Sequence, residues 1–378
     1  MMIYLFFISL FMIFFAYFGY PLTLAALRTF IGKSVKKTPI LPDVTFIITA
    51  NNEENRIRQK LENSLLLDYP TDKLQIIVTS DGSTDGTNAI VREYSTKKIE
   101  LVAVQERKGK ENAQNEALKI ARGEIIVFSD VATNLDVSGI KEIVANFADP
   151  SIGCVSSEDR MIEEQGVTGG EGVYVKYEMW LRGLESGINS LVGLSGSFFA
   201  ARKEVCRDFS PKMQSDFRTL LSSMRKGMRG VSDPKAIGYY HDITDKSREF
   251  NRKVRTVIRG LTVFFNNLEF LNVFEFGIFS YQYFCHKLLR WLVPFFLIIA
   301  FASNAILAFK GGLLLYGFLA HLLFYLFALV GIAGGKKTPS NMAVKISRFF
   351  VIVNASILVA WIKYLRGDRL TMWDPSTR

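Results

Sequence analysis

The chain has 378 residues, 49% of them apolar, with 31 Phe and a formal net charge of +10. That length allows one large domain or two. The basic balance comes without a recognised nucleic-acid module or an aromatic-basic array, so nucleic acid is excluded as the expected partner; Cys154, Cys206 and Cys285 are scattered, with neither disulfide nor zinc spacing, as suits a reducing cytoplasm.

Residues 1–27, MMIYLFFISLFMIFFAYFGYPLTLAAL, carry no charged side chain and are long enough to cross a bilayer core. No basic n-region and no small-residue cleavage site accompany them, so they read as a retained transmembrane anchor. Arg28, Lys33, Lys36 and Lys37 follow at once, which predicts that the polar middle of the chain lies on the cytoplasmic side. These flanks, together with anionic headgroups, explain most of the net charge.

The middle alternates strand and helix patterns. Val44–Ile48 reads as a strand, followed by the turn NNEEN and a helix over 53–67 through Ile57, Leu61 and Leu65. Leu74–Val78 is the next strand, ending at SDGSTDG, with a helix through Ala89, Ile90 and Tyr94 and then a strand Glu100–Val104. A helix Asn112–Ala121 is expected to stop at Gly123, ahead of the uniformly apolar strand Ile125–Phe128, which ends on Asp130. Repeated strand–helix units imply right-handed crossovers and a mostly parallel α/β sheet.

Ligands of such sheets bind outside the carboxyl ends of the strands. Polar clusters stand at those ends: Ala50–Asn55, Asp81–Gly86 and Asp130. Taken alone, SDGSTDGT is also a turn with a helix N-cap. Arg107, Lys108 and Lys110 are placed to meet a diphosphate as point charges, or form a solvated basic loop.

Beyond residue 260 come the Phe-rich stretch 261–284, expected to lie as amphipathic helices at the membrane interface, and then two apolar stretches, Trp291–Phe309 and Gly312–Ile332. Phe349–Ile362 is too short to cross without its flanks. His286, Lys287 and Arg290 read as snorkelling anchors, with lipid or pyrophosphate headgroups as the alternative contact. Lys336, Lys337, Lys345 and Arg348 agree with the cytoplasmic orientation if they follow an outward-and-back hairpin; Lys363, Arg366 and Arg369 disagree if the last segment crosses. The expected organisation is thus 1–27 transmembrane, 40–255 catalytic, 256–288 interfacial and 289–365 transmembrane.

FIITANNEENRI, VTSDGSTDGT and RKGKENAQNEALKIARGEIIVFSD resemble the N-terminal half of a glycosyltransferase family 2 catalytic domain. GLSGSFFAARKEV (193–205) is similar to the family's acceptor-side strand and loop, SDFRTLL (215–221) to its base-bearing segment, and REFNRKVRTVIRG (248–260) to the basic motif of membrane-bound polysaccharide synthases. The resemblance covers about residues 42–290. It implies the GT-A fold, a Rossmann-like nucleotide-diphospho-sugar transferase domain, flanked here by N- and C-terminal transmembrane helices.

The implied reaction is sugar transfer from a nucleotide-sugar, a UDP-sugar by resemblance, with inversion at the anomeric carbon. Its chemistry needs neutralisation of the departing diphosphate and a carboxylate to take the acceptor hydroxyl proton. By similarity Asp81 contacts the nucleobase, with Ala50, Asn52 and Glu53 lining the same pocket. Lys110 meets the diphosphate, and Asp130 is the first carboxylate of the metal motif for Mg²⁺ or Mn²⁺. Ser195 and Gly196 lie on the acceptor side, and Arg252 and Arg255 grip the diphosphate from the opposite side. Asp216 is the general base, although an Asp ahead of Phe217, Leu220, Leu221 and Met224 is also an ordinary helix cap.

Two departures matter. The motif reads Asp130-Val131-Ala132, so Ala132 supplies no second ligand; the ion would be held by Asp130, the diphosphate and waters, with His241 as a further ligand or simply a structural histidine. Thr256 stands where processive members carry Trp, against a long-chain polymerase. Three readings stay open: a membrane-bound transferase acting on a lipid-linked or envelope glycan, a processive synthase extruding its product, with oligomers able to build its channel, and a non-catalytic nucleotide-sugar-binding protein.

Overall fold

The computed structural model describes residues 1–162, 170–211, 213–241, 246–334 and 341–369. They divide into two compact units interleaved along the chain: Met1–Thr29 with Gly166–Glu178 and Asp245–Asp368, and Phe30–Gln165 with Met179–Thr244 and Arg369–Arg378.

The second unit is built on an eight-stranded sheet among the described residues, in the order β3-β2-β1-β4-β7-β6-β8-β5. The strands are β1 (Val44–Ala50), β2 (Leu74–Asp81), β3 (Ile99–Val104), β4 (Ile125–Asp130), β5 (Asn134–Leu135), β6 (Ile152–Ile162), β7 (Phe198–Arg202) and β8 (Arg229–His241). The half carried by β1 to β4 is parallel, as strand–helix alternation requires. β7 runs antiparallel between β4 and β6, and β6 pairs parallel with β8.

Two apolar layers explain why β1, β2 and β4 read as continuous hydrophobic runs. Phe46, Ile48, Val78 and Val127 pack on one face with Ile57, Leu61 and Val91 from helices; Ile47, Ile77, Ile126 and Phe128 pack on the other with Ala117 and Leu220. A sheet covered on both faces has solvent access mainly along its strand ends, which is where the polar clusters lie.

Local boundaries differ from the sequence pattern for identifiable reasons. The first helix of this unit is Ile57–Leu65, because residues 53–56 form a turn in which the Glu53 carbonyl accepts from Arg56 N and Ile57 N. Gly123 is not a helix stop: the helix Lys110–Ile120 ends at the extended Ala121. Its small size serves close approach to β1 instead, since a Cβ there would lie 2.3 Å from Thr45 N. Lys37 is an ion-pair partner rather than a headgroup contact, held 2.7 Å from Asp233 and 2.5 Å from Glu142.

The first unit is helical. Among the described residues, four helices are long and apolar enough to cross a membrane: Met2–Ile31, Ile278–Ala308, Gly312–Ala333 and Met342–Leu365. Phe6 packs on Ala300 and Leu307, and Ala16 on Leu289 and Val293. The second of these helices starts well before Trp291, so part of the expected interfacial stretch belongs to it. The last reaches 24 residues because its polar flanks continue the same helix. The helix Lys246–Phe265 also belongs to this unit through residue 265, placing Val254 and Ile258 against Ala360, and Leu261 against Ile357 and Trp361.

Arg290 is no snorkelling anchor. It is buried, donating to Glu178 Oε1 at 2.5 Å and to Tyr174 Oη at 2.9 Å, with the rings of Tyr17, Tyr174 and Tyr177 within cation–π range. A guanidinium with a carboxylate partner inside the unit has no need to reach water.

Candidate active site

The carboxyl ends of β1 and β2 are joined by reciprocal loop contacts. Asn52, at a left-handed φ of 53°, accepts through Oδ1 from Thr84 N at 2.8 Å, while its own N–H donates to Ser83 Oγ at 3.1 Å. Glu54 Oε2 accepts from Gly86 N at 2.8 Å, and Asp85 accepts from Glu54 N at 3.1 Å and from Thr87 N at 3.0 Å. SDGSTDGT is therefore a turn with capping contacts, whatever else it does. Glu53 is buried and held by Arg56 at 2.6 Å; burial pushes its carboxyl above the usual range, against the pull of that guanidinium. Ala50, fully buried, ends β1 opposite Ser80.

Asp81 takes hold of the loop after β3. Its Oδ1 accepts from Lys108 N and its Oδ2 from Gly109 N, both at 2.8 Å, and its carbonyl accepts from Asn51 Nδ2 at 2.6 Å. Gly82 makes this approach feasible: its φ is +59°, and a Cβ would lie 2.5 Å from Arg107 N. The consequence is to launch the helix Lys110–Ile120 so that its first residue points along the strand ends.

Lys110 then meets Asp130 at the end of β4. Its Nζ lies 2.5 Å from Asp130 Oδ1 and donates to the Gly196 carbonyl at 2.9 Å. Gly196 belongs to the loop that enters β7, and a Cβ there would fall 2.7 Å from Asp216 Oδ2. Asp216 opens the helix Ser215–Arg225, accepting from Gln214 Nε2 at 3.1 Å and from Phe217 N at 2.7 Å. Lys110, Asp130, Gly196 and Asp216 thus form one contiguous set, although they come from three separate sequence motifs.

The sequence pattern missed what braces this loop. Asp159 on β6 accepts from Ser195 Oγ at 2.7 Å through both carboxylate oxygens and from Ser197 Oγ at 2.8 Å. Ser195 N donates to Ser156 Oγ at 2.8 Å, and Ser197 O accepts from Asp130 N at 3.1 Å. The available signal was a carboxylate in an otherwise strand-like segment, SSEDRMI.

Arg252 and Arg255 lie on the helix Lys246–Phe265 of the first unit, where Arg252 pairs with Glu249 at 2.7 Å. His241 ends β8, and its side chain lies outside the described residues. Among the described residues no three His, Cys, Asp or Glu side chains gather as a metal cage. Asp130 is the one motif carboxylate, and its Oδ1 already faces an ammonium. That donor set fits a divalent ion held chiefly by phosphate oxygens and waters, as Mg²⁺ commonly is, rather than a preformed protein site.

Comparison with known proteins agrees with this architecture. Residues 45–208 match the family model for Glycosyl transferase family 2. A poly-beta-1,6-N-acetyl-D-glucosamine synthase of Staphylococcus aureus (strain MSSA476) is 32% identical over 133 residues, 34% of this chain and 31% of that protein. The probable glycosyltransferase YdaM of Bacillus subtilis (strain 168) is 35% identical over 128 residues, 32% of this chain and 30% of that protein. The chain thus spans less than a third of either relative's length. Among solved structures, the mannosyltransferase PcManGT from Pyrobaculum calidifontis, in complex with GDP-Man and Mn²⁺, is similar with a TM-score of 0.74 at 25% identity, over 96% of this chain and 100% of that one.

Proposed function

Starting from a chain that carries a glycosyl transferase family 2 domain on the GT-A fold, we propose that it is a membrane-bound inverting glycosyltransferase. It moves a sugar from a nucleotide-sugar to a lipid-linked or cell-envelope glycan acceptor, with its catalytic unit on the cytoplasmic face. The observation that carries this reading is the contiguous set Lys110, Asp130, Gly196 and Asp216 at the carboxyl ends of the sheet. The four long apolar helices support the membrane location, and the basic flank of the first supports the orientation.

In the reaction the acceptor oxygen attacks the anomeric carbon in line while its bond to the diphosphate breaks, the electron pair leaving with the diphosphate. Asp216 takes the acceptor hydroxyl proton. Lys110 turns its ammonium from Asp130 toward the departing oxygens, placing a cation where charge develops. Asp81 orders the Lys108–Gly109 turn that launches Lys110, and with Ala50, Asn52 and Glu53 bounds the nucleoside end of the site. Ser195 and Gly196 line the acceptor side. Asp130 would hold a Mg²⁺ or Mn²⁺ ion with the diphosphate, with His241 as an additional ligand. When bound, such an ion supplies charge neutralisation to the leaving group.

The motif resemblance favours UDP as the donor base, and the GDP-Man complex of PcManGT makes GDP the alternative. Thr256 supports one or few transfers, since its hydroxyl turns back to the Arg252 carbonyl at 2.9 Å and no aromatic ring stands there for an acceptor sugar to stack on.

The test is purified full-length protein incubated with radiolabelled UDP- and GDP-sugars and membrane lipid extract. A short product that requires Mn²⁺ or Mg²⁺ is expected. A polymer would replace the single-transfer reading with the processive one, no transfer from any donor would leave only a binding protein, and a rate indifferent to chelator would remove Asp130 as a metal ligand.

A further inference from the structure

A second lysine serves the end of β4. Lys60, on the helix Ile57–Leu65, is 0% exposed. Its Nζ donates to Ser129 Oγ at 2.9 Å and to the Thr133 carbonyl, and stands 5.3 Å from the centroid of the Phe46 ring. One turn further along the same helix, Asn63 takes both backbone groups of Leu135. Its Nδ2 donates to Leu135 O and its Oδ1 accepts from Leu135 N, each at 2.9 Å.

These contacts bracket one short segment. Asp130 lies inside it, and its turn is closed by Thr133 N donating to the Asp130 carbonyl at 3.3 Å. Val131 and Ala132 offer no polar side chain to fix that turn from within. A buried amine is costly, because taking an ammonium out of water forfeits several kcal/mol that its partners must return. Methionine has a similar reach without that cost, so what distinguishes lysine here is the pair of acceptors that it holds.

We propose that Lys60 and Asn63 are positioning residues for Asp130, pinning both ends of segment 129–135 so that the carboxylate is presented to a nucleoside diphosphate, and to any divalent ion it carries, in one geometry. The inference rests on reading the strand-end cluster as a nucleotide-sugar site. The electrostatics agree with it: burial holds the Lys60 amine down to about 7, and attraction to Asp130 is the force opposing that fall.

The test separates diphosphate recognition from general loosening. Full-length protein in detergent is titrated with UDP and GDP in the presence of Mn²⁺ by calorimetry, and with uridine and guanosine by saturation-transfer NMR. Lys60→Met is expected to weaken nucleoside diphosphate binding about tenfold or more, the usual scale for removing a residue that orients a ligand, while nucleoside binding is unchanged. A folded Lys60→Met that binds the diphosphate as tightly as the parent overturns the inference, and so does an equal loss of nucleoside binding. If Lys60→Met fails to fold, Ser129→Ala decides the matter: it removes one of the two Lys60 acceptors together with the hydroxyl's own 3.1 Å donation to the Asp130 carbonyl. It should weaken diphosphate binding by about three- to tenfold, the scale of one or two hydrogen bonds, and unchanged binding overturns the inference. A parent protein that binds neither UDP nor GDP overturns the site reading itself, and this inference with it.

Discussion

The loops after β1 and β2 differ in kind from the cluster after β4 and β7. In the first region the side chains of Asn52, Glu54, Asp81 and Asp85 accept from backbone N–H groups. In the second, Lys110 and Asp130 face each other side chain to side chain, and Asp216 lies against a glycine. Bonds to backbone define shape, and those that Asp81 makes exchange poorly, because releasing them leaves a buried or part-buried N–H without its partner. An ammonium on a carboxylate can change partners when a phosphate arrives, since the new contact replaces the old one in kind. Under the proposed function, the first region would serve as scaffold at the nucleoside end and the second as the place of chemistry.

That contrast can be broken in several places. The largest effect should come from Asp216→Asn, which keeps the shape and removes the base: turnover should fall by about 10²- to 10⁴-fold, and full turnover in a single-turnover assay would end the base assignment. Lys110→Met should cost about a hundredfold in kcat, the scale for losing one preorganised charge, with donor KM changing less. A KM effect alone would make Lys110 a binding residue only. Gly196→Ala forces a methyl to within 2.7 Å of the Asp216 carboxylate. A shift of that order at a reacting group is worth about a hundredfold in rate, and an unimpaired rate would mean that Asp216 need not stay against the loop.

The scaffold side should respond in stability instead. Asn52→Ala loses the bond to Thr84 N and places a Cβ residue of poorer left-handed tolerance at a φ of 53°. Thermal unfolding should show a loss of about 1–2 kcal/mol, with kcat near the parent's. A collapse of kcat at unchanged stability would move Asn52 into the chemistry. A pH dependence of stability is expected as well. The Lys60 amine lies at about 7 in the fold against 10.5 ordinarily, so between those values the unfolded chain binds a proton that the fold lacks. Stability should rise with pH through that window and level off below it. Lys60→Met should lack the rise, and identical pH profiles would show that Lys60 stays charged.

Much of this was legible in local pattern. Alternating apolar strands and amphipathic helices are set by neighbours within a few residues, so β1 to β4, their polar ends and the apolar cores of the long helices could be read directly, but not the full lengths of Ile278–Ala308 and Met342–Leu365. Asp81, Lys110, Asp130 and Asp216 could be named because their motifs are short and contiguous. Which of them touch was not legible: Lys110 and Gly196 are separated by 86 residues, and Lys60 and Thr133 by 73.

The charged groups that misled did so for the same reason. Lys37 and Arg290 look like membrane anchors in sequence, and nothing in the pattern around Lys60 singles it out. Whether a charge is solvated or buried depends on partners brought from elsewhere in the chain, Asp233, Glu178 or Ser129. Side-chain periodicity decides which element forms and which face is apolar, and for this protein it sufficed to read a parallel sheet with acidic ends and, separately, long apolar helices. The pairing of the charges at those ends required the sheet order β4-β7-β6, which no local pattern encodes and only the packed fold supplies.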